Sequence, residues 1–570
     1  MQLAQSAKEV AKDIFALLAD MQIKGRKTKW KSFLVAVKEV RNQESVTSIT
    51  SSLTRLQTHM TLHLQFQIKG DIASLQTEIQ KLQSISDRLQ LNKSTELEKL
   101  RADLLSAFNT IATAGENQRG KQEGGWEKTL ILDFKRLTMG DFHTISQGLP
   151  SYQSKVSSLS QGIDSIADDQ AFIESFYFDR FATREAKITE SHAKTFEWVF
   201  YGISPDRKTK IGFPGWLKYG NGIFWIRGKA GSGKSTLMKF ISHHPSTLQY
   251  LKCWSGSQQL VMGRFYFWNS GTDLQKSQEG LLRSLIFEVL RQCPELITHV
   301  RTKLSRMTTQ HMPVWAPQRN DDNASLWEGW MLRQLVDILG RILSHDESKR
   351  FFFIIDGLDE YISPHTQDHQ DLVNAIRKLA ASPQVKICVS SRPWTVYMDA
   401  FSGDIHQCLK LEDLTKDDIR SYTTDKFLAH NQYRKLLHMN PGYSSLVESV
   451  VTKSQGVFLW VFLVVRELLD GFTYSDTLNI MRRRLDSFPS TLERFFQHML
   501  DSVPEVYRPQ TAQIFQVSVS YRDSLPMIFY SFMGDINDDP DLIAQETHPP
   551  MNMPEVLERR DTMRRRLDAW

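Results

Sequence analysis

The chain has 570 residues, enough for roughly three or four domains that each bury a core. Its 70 Lys and Arg against 65 Asp and Glu leave a formal net charge of +5, too balanced to argue for nucleic acid as the main partner. Four cysteines, Cys253, Cys293, Cys388 and Cys408, are scattered without a C-x-x-C pair, which argues against a thiolate metal site and fits reduced thiols in the cytoplasm.

Residues 1–111 read as a helical bundle or short coiled coil. Val10, Ile14, Leu17, Leu18 and Met21 form one apolar face, Val46, Ile49, Leu53, Leu56 and Met60 a second. Ile72, Leu75, Ile79, Leu82, Ile85 and Leu89 repeat at near-heptad spacing. Lys8 and Asp13 interrupt the first stretch, so it is not a secretion signal. The basic cluster Lys24, Arg26, Lys27, Lys29 and Lys31 surrounds Trp30; a solvated helix face explains it, with anionic lipid as the sharper alternative. Residues 112–175 read as a linker and irregular helical segment: Gly115, Gly120, Gly124 and Gly125 lie among polar residues, and a weaker boundary falls near Ser151 to Asp169.

The chemistry begins after the apolar run Gly222-Ile223-Phe224-Trp225-Ile226. Gly228, Lys229, Ala230, Gly231, Ser232, Gly233, Lys234, Ser235 and Thr236 match G-x-x-x-x-G-K-[ST] between a strand and a helix. A polyphosphate must sit against bare backbone amides, which the glycines permit. Lys234 supplies a mobile charge to the β- and γ-phosphates, and the Ser235 hydroxyl is placed to ligate Mg²⁺. A second apolar run, Phe351 to Ile355, reads as a buried parallel strand ending in Asp356-Gly357-Leu358-Asp359-Glu360. Asp356, at the strand's carboxyl end, is the second expected partner of Mg²⁺. Asp359 and Glu360 are both candidates to orient or deprotonate an attacking water, and spacing does not choose between them.

A third run, Val385 to Val389, leads into Ser390-Ser391-Arg392-Pro393-Trp394, so Arg392 could sense a γ-phosphate or be held locally by carboxylates. Further strands are expected at Val261 to Phe267 and Ile405 to Leu411, with a helical pattern over Leu281 to Leu290. Strands alternating with helices imply a doubly wound parallel sheet of about five strands, an α/β P-loop NTPase core flanked by all-α regions. An irregular insertion is expected around Met312-Pro313-Val314-Trp315-Ala316-Pro317. Val457 to Val465 is too short to span a bilayer and reads as a buried helix, and no solenoid repeat is found. Arg559, Arg560, Arg564, Arg565 and Arg566 crowd the last residues, again as a solvated face.

The glycine loop, the D-G-L-D-E segment and the S-S-R-P-W tail, with Phe265 to Ser270, Glu190 to Trp198 and Gly456 to Trp460, together resemble NACHT-domain proteins of the STAND class, fungal NOD-like receptor type, over roughly residues 175–500. The resemblance implies Walker A and Walker B elements binding ATP or ADP with Mg²⁺ as a conformational switch, Arg392 at the sensor position, a cytoplasmic location and homo-oligomerisation on activation. It implies a core at 176–411, a helical arm at 412–500 and a partial winged-helix-like region at 501–570. A downstream signalling protein would be met through the N-terminal helices, and slow ATP hydrolysis would suffice. No counterpart of the class's winged-helix histidine is evident. The alternative from another class is a non-hydrolysing helical scaffold that binds nucleotide only structurally; direct action of the N-terminal helices on a membrane is a further one.

Overall fold

Five apolar runs become five parallel strands: β1 (Gly222–Arg227), β2 (Gln259–Tyr266), β3 (Lys349–Asp356), β4 (Val385–Ser391) and β5 (Cys408–Lys410), in the order β2-β3-β4-β1-β5. The computed structural model describes, apart from a few isolated positions, residues 73–91, 95–112, 142–178, 182–192, 195–202, 211–307, 330–362, 369–403, 405–521, 525–538 and 551–569. These divide into two compact units, 1–174 with 315–323 and 175–314 with 324–570.

In the first unit, helical residues 73–88 precede α1 (Thr95–Ala112) and α2 (Phe142–Glu174). Leu75, Ile79, Leu82 and Leu89 of the near-heptad stripe are buried, as are Leu100 and Leu104 of α1 and Leu159, Ile163 and Ile166 of α2. Gln170 donates a hydrogen bond to the Leu82 carbonyl at 2.9 Å, and Arg88 pairs with Glu174. The expected boundary near Ser151 to Asp169 is instead the middle of one 33-residue helix. Gly162, which suggested a break, is where α1 closes on α2: a Cβ there would lie 2.8 Å from Leu100 Cδ2. The two earlier apolar faces, the Lys24 cluster and the glycines at 115–125 lie outside the described residues, as do residues 312–317.

The second unit holds the sheet. Phe351 to Ile355 of β3 are fully buried, covered on both faces, which is why the run is continuous rather than alternating. The register pairs Ile226 of β1 with Ser390 of β4, and Ile355 of β3 with Val389, so the carboxyl ends of β1, β4 and β3 lie level along one edge. The helices around the sheet are α3 (Thr183–Lys187), α4 (Phe213–Tyr219), α5 (Lys234–His243), α6 (Pro245–Ser255), α7 (Gln278–Gln292), α8 (Glu295–Met307), α9 (Leu332–His345), α10 (His369–Ala380) and α11 (Thr395–Phe401). The β2–β3 connection is therefore largely helical on either side of residues 308–329. The strand expected over Ile405 to Leu411 is only three residues, flanked by 3₁₀ turns.

Beyond β5 come α12 (Lys416–Ala429), α13 (Asn431–Met439), α14 (Ser445–Ser454), α15 (Phe458–Thr473), α16 (Leu478–Ser487) and α17 (Leu492–Ser502). Their core is centred on α15, where Trp460, Val461, Val464 and Leu468 recur at helical spacing and are buried. The described residues from 508 onward form α18 (Arg508–Ser520), α19 (Met527–Asp538) and α20 (Met553–Ala569). Of the basic cluster on α20, Arg559 pairs with Asp535 at 2.6 Å while Arg560, Arg564 and Arg565 are exposed. Among the described residues, no helix is long and apolar enough to cross a membrane.

Gly456, just before α15, sets how closely this turn approaches the segment that follows β5. Its φ is +78°, and a Cβ would lie 2.2 Å from the Glu412 carbonyl oxygen. Gly456→Ala is expected to lower unfolding free energy by about 2 kcal/mol or more, because left-handed backbone and a backbone clash act together. Gly340→Ala, within α9 and with nothing within 4 Å, is the control and should stabilise by about 0.5–1 kcal/mol. Urea midpoints of the two variants measure the contrast; equal shifts would refute it.

Candidate functional site

The level edge of the sheet receives the loop 228–233 between β1 and α5. Gly231 and Gly233 have φ of +69° and +95°, so the loop takes a left-handed path that residues with a Cβ rarely adopt. Gly233 caps α5, whose first residues are Lys234 and Ser235, placing both side chains and the positive end of the helix dipole at the loop. Lys234 Nζ donates to the carbonyls of Gly228 and Lys229 at 2.9 and 3.0 Å. Burial depresses the Lys234 pKa, and the charges of Asp359 and Asp356 oppose that shift.

Asp356, the last residue of β3, is buried with two unlike oxygens. Oδ1 accepts from Ser390 Oγ at 2.5 Å, while Oδ2 has no hydrogen-bond partner. Burial raises the Asp356 pKa; the Ser235 and Ser390 hydroxyls and the charges of Arg184 and Lys234 work against it. Ser390 Oγ also accepts from the Gly357 amide at 3.0 Å, fixing the turn after β3. An orphaned carboxylate oxygen beside a serine hydroxyl is an all-oxygen donor set that fits a hard cation such as Mg²⁺.

Asp359 and Glu360 end in different surroundings. Asp359 Oδ2 lies 2.9 Å from Arg392 Nε and Oδ1 accepts from the Arg392 amide at 3.0 Å, so its carboxylate is fully engaged. Glu360 Oε2 accepts from the Asn269 amide at 2.9 Å, and Oε1 lies 3.7 Å from Arg184. Burial raises the Glu360 pKa, against the Asn269 N–H and the Arg184 charge, which lower it.

Lys234, Asp359, Glu360, Arg184 and Arg392 line a cavity of about 640 Å³. Its lining also includes the rings of His192, Phe196, Tyr422, Phe458 and Phe462. His192 meets the Tyr422 ring edge-on at 5.4 Å, and Phe458 meets the same ring at 5.4 Å. Phe196 is held in left-handed backbone at φ +68° by Asp418 of α12, which accepts from its amide at 3.3 Å and from Trp198 Nε1 at 2.8 Å. Leu459 at the start of α15 donates its amide to the Gly231 carbonyl at 2.9 Å. Loop, pre-loop segment and helical arm thus meet in one cavity.

Comparison with known proteins agrees with this arrangement. A family model described as Nephrocystin 3, N-terminal, matches residues 209–392, from ahead of β1 to Arg392. The vegetative incompatibility protein HET-E-1 of Podospora anserina is 24% identical over 348 residues. Both matches support a fungal NACHT-type P-loop NTPase. The alignment with HET-E-1 covers 57% of this chain and 22% of that protein's length.

The loop residues Ala230 to Thr236, Asp359, Glu360 and Arg392 all border the cavity, whereas Asp356 is buried and is not among its lining residues. Gly228 and Lys229 stand at its rim through their carbonyls to Lys234. Sequence reasoning did not pick out Ser390 as the residue holding Asp356, nor Arg184, Tyr422 and Lys426 as lining residues. Ser390 lay within a segment already singled out, but only strand order brings it between Asp356 and the loop. Glu190 to Trp198 and Gly456 to Trp460 were visible as motifs, without their spatial meaning.

Burial raises the Asp418 carboxyl to about 6, although the Trp198 and Phe196 N–H groups lower it. This lies above the ordinary value of about 3.9, so between roughly pH 4 and 6 the folded protein keeps a proton that the unfolded chain releases. The group's contribution to stability therefore falls as pH rises through that window and is level above it. The difference in unfolding free energy between wild type and Asp418→Asn should decline from pH 4 to pH 6 in urea titrations. A flat or rising difference would show that the two N–H donors outweigh burial.

Proposed function

We propose that this protein is a nucleotide-operated signalling switch that binds ATP or ADP with Mg²⁺ in the cavity above β1, β4 and β3. The observation that carries the reading is the half-satisfied Asp356: a buried carboxylate with an unpartnered oxygen, on which the Ser235 hydroxyl and the Lys234 charge both act. The loop amides and Lys234 would hold the β- and γ-phosphates, and the rings of the cavity lining would take the base. Ser235 and Asp356 would hold Mg²⁺, which when bound neutralises phosphate charge. Hydrolysis, where it occurs, would use Glu360 to orient or deprotonate water, since Asp359 is engaged by Arg392 and burial already raises the Glu360 pKa towards that of a working base. Arg392 would then report on the nucleotide through Asp359.

The Gly231 to Leu459 hydrogen bond supports a coupling from phosphates to arm: a change in the loop alters the seat of α15. A switch needs only different affinities of ATP and ADP for two arrangements, so slow turnover suffices. Homo-oligomerisation on ATP binding and a downstream partner reached through the N-terminal helices, in the cytoplasm, complete the proposal.

The test is binding of ATP and ADP to the purified chain, with nucleotide extracted from the protein and light scattering for mass. Lys234→Ala should abolish binding of both nucleotides. Glu360→Gln should leave ATP affinity within about threefold and slow hydrolysis on the order of 10²-fold. No bound or bindable nucleotide in wild type would remove the switch reading in favour of a helical scaffold. Equal loss of binding in both variants would show that the division of roles is wrong.

A further inference from the structure

Two arginines line the cavity, each beside one of the two acidic residues that follow β3, and they are not equivalent. Arg392 is committed: Asp359 takes its Nε at 2.9 Å and its backbone N–H at 3.0 Å. Arg184, on α3 ahead of the glycine loop, approaches Glu360 only to 3.7 Å, beyond hydrogen-bond length. Its Nε is buried without a hydrogen-bond partner, and its guanidinium lies 5.8 Å from the Trp268 ring centroid. The side chain is only 22% exposed.

A guanidinium that lines a cavity, packs on an indole and leaves a buried N–H unmade carries a desolvation cost that Glu360, at 3.7 Å, offsets only in part. Its planar donor fork matches a phosphate oxygen pair better than a single carboxylate oxygen at a distance. Arg184 and Lys234 line the same cavity and both charges bear on Asp356, so a terminal phosphate seated on the loop would meet two cations.

We propose that Arg184 is a terminal-phosphate arginine: it leaves Glu360 for the γ-phosphate oxygens of a bound nucleoside triphosphate and returns to Glu360 when the diphosphate remains. This rests on the nucleotide reading above and deepens it. With the triphosphate bound, the Glu360 carboxylate is released from its cation and free to accept a proton. The water oxygen then bonds to the γ-phosphorus, the bond from that phosphorus to the β–γ bridging oxygen breaks with its electron pair leaving on ADP, and the water's proton passes to Glu360. Phosphate departs, Glu360 returns its proton to solvent, and Arg184 pairs with it again. Arg184 thus distinguishes triphosphate from diphosphate from the side of the pre-loop segment, while Arg392 stays with Asp359.

The experiment measures affinity of the full chain for ADP and for the β,γ-imido analogue of ATP, and steady-state ATP turnover, in wild type, Arg184→Ala and Arg184→Lys. Arg184→Ala should hold ADP affinity within about twofold and weaken the analogue at least about tenfold, the ratio of one phosphate contact. Turnover should fall with it, and Arg184→Lys, which keeps charge but not the fork, should recover part of the analogue affinity. Equal weakening for both ligands would make Arg184 a support of the fold and overturn the proposal, as would unchanged affinity for both. Should Arg184→Ala fail to fold by thermal melting, Arg184→Lys and Arg184→Gln give the same ligand ratio. Wild type binding neither ligand would remove the nucleotide reading itself, a result seen before any variant is compared.

Discussion

A buried carboxylate with one bonded and one unbonded oxygen is the constraint around which the core of this protein is arranged. Asp356 is 1% exposed at the end of a strand of phenylalanines and isoleucines, where an isolated negative charge is costly. Ser390 satisfies one oxygen from the adjacent strand, and only because β4 lies between β3 and β1 can it do so. The other oxygen is left buried without a hydrogen-bond partner. Strand order, hydroxyl and loop are one arrangement that depends on β3, β4 and β1 being neighbours.

The second constraint is the contact between this core and the helices after β5. Two close approaches make it: the Leu459 amide on the Gly231 carbonyl, and Asp418 clasping Phe196 and Trp198. Each joins a helical residue to a segment that borders the cavity. A ligand that displaces the loop or the pre-loop segment cannot leave these contacts untouched, because close packing transmits small shifts.

The strands were legible because continuous apolar runs such as Phe351 to Ile355 have few alternatives, and the loop was legible because its glycines and lysine are contiguous. The short β5 was less so: Cys408, Leu409 and Lys410 carry a strand of three residues whose pairing with β1, not its composition, defines it. The serine and glycine content of residues 151–169 read as a boundary, yet Gly162 serves helix packing in the middle of α2. Composition cannot separate a glycine that frees the chain from one that admits a neighbour.

By itself, the sequence determined the sheet class, the loop and the acidic cluster, since each is a local pattern whose chemistry depends on neighbours in the chain. Only the tertiary structure decided what each acid meets, because Asp359 pairs with Arg392 while Glu360 meets the Asn269 amide and Arg184, residues far away in sequence. It likewise decided that Ser390 holds Asp356 and that Phe196 and Tyr422 share a wall. Those relations depend on strand order and helix approach, and burial gives them energetic weight that no spacing along the chain records.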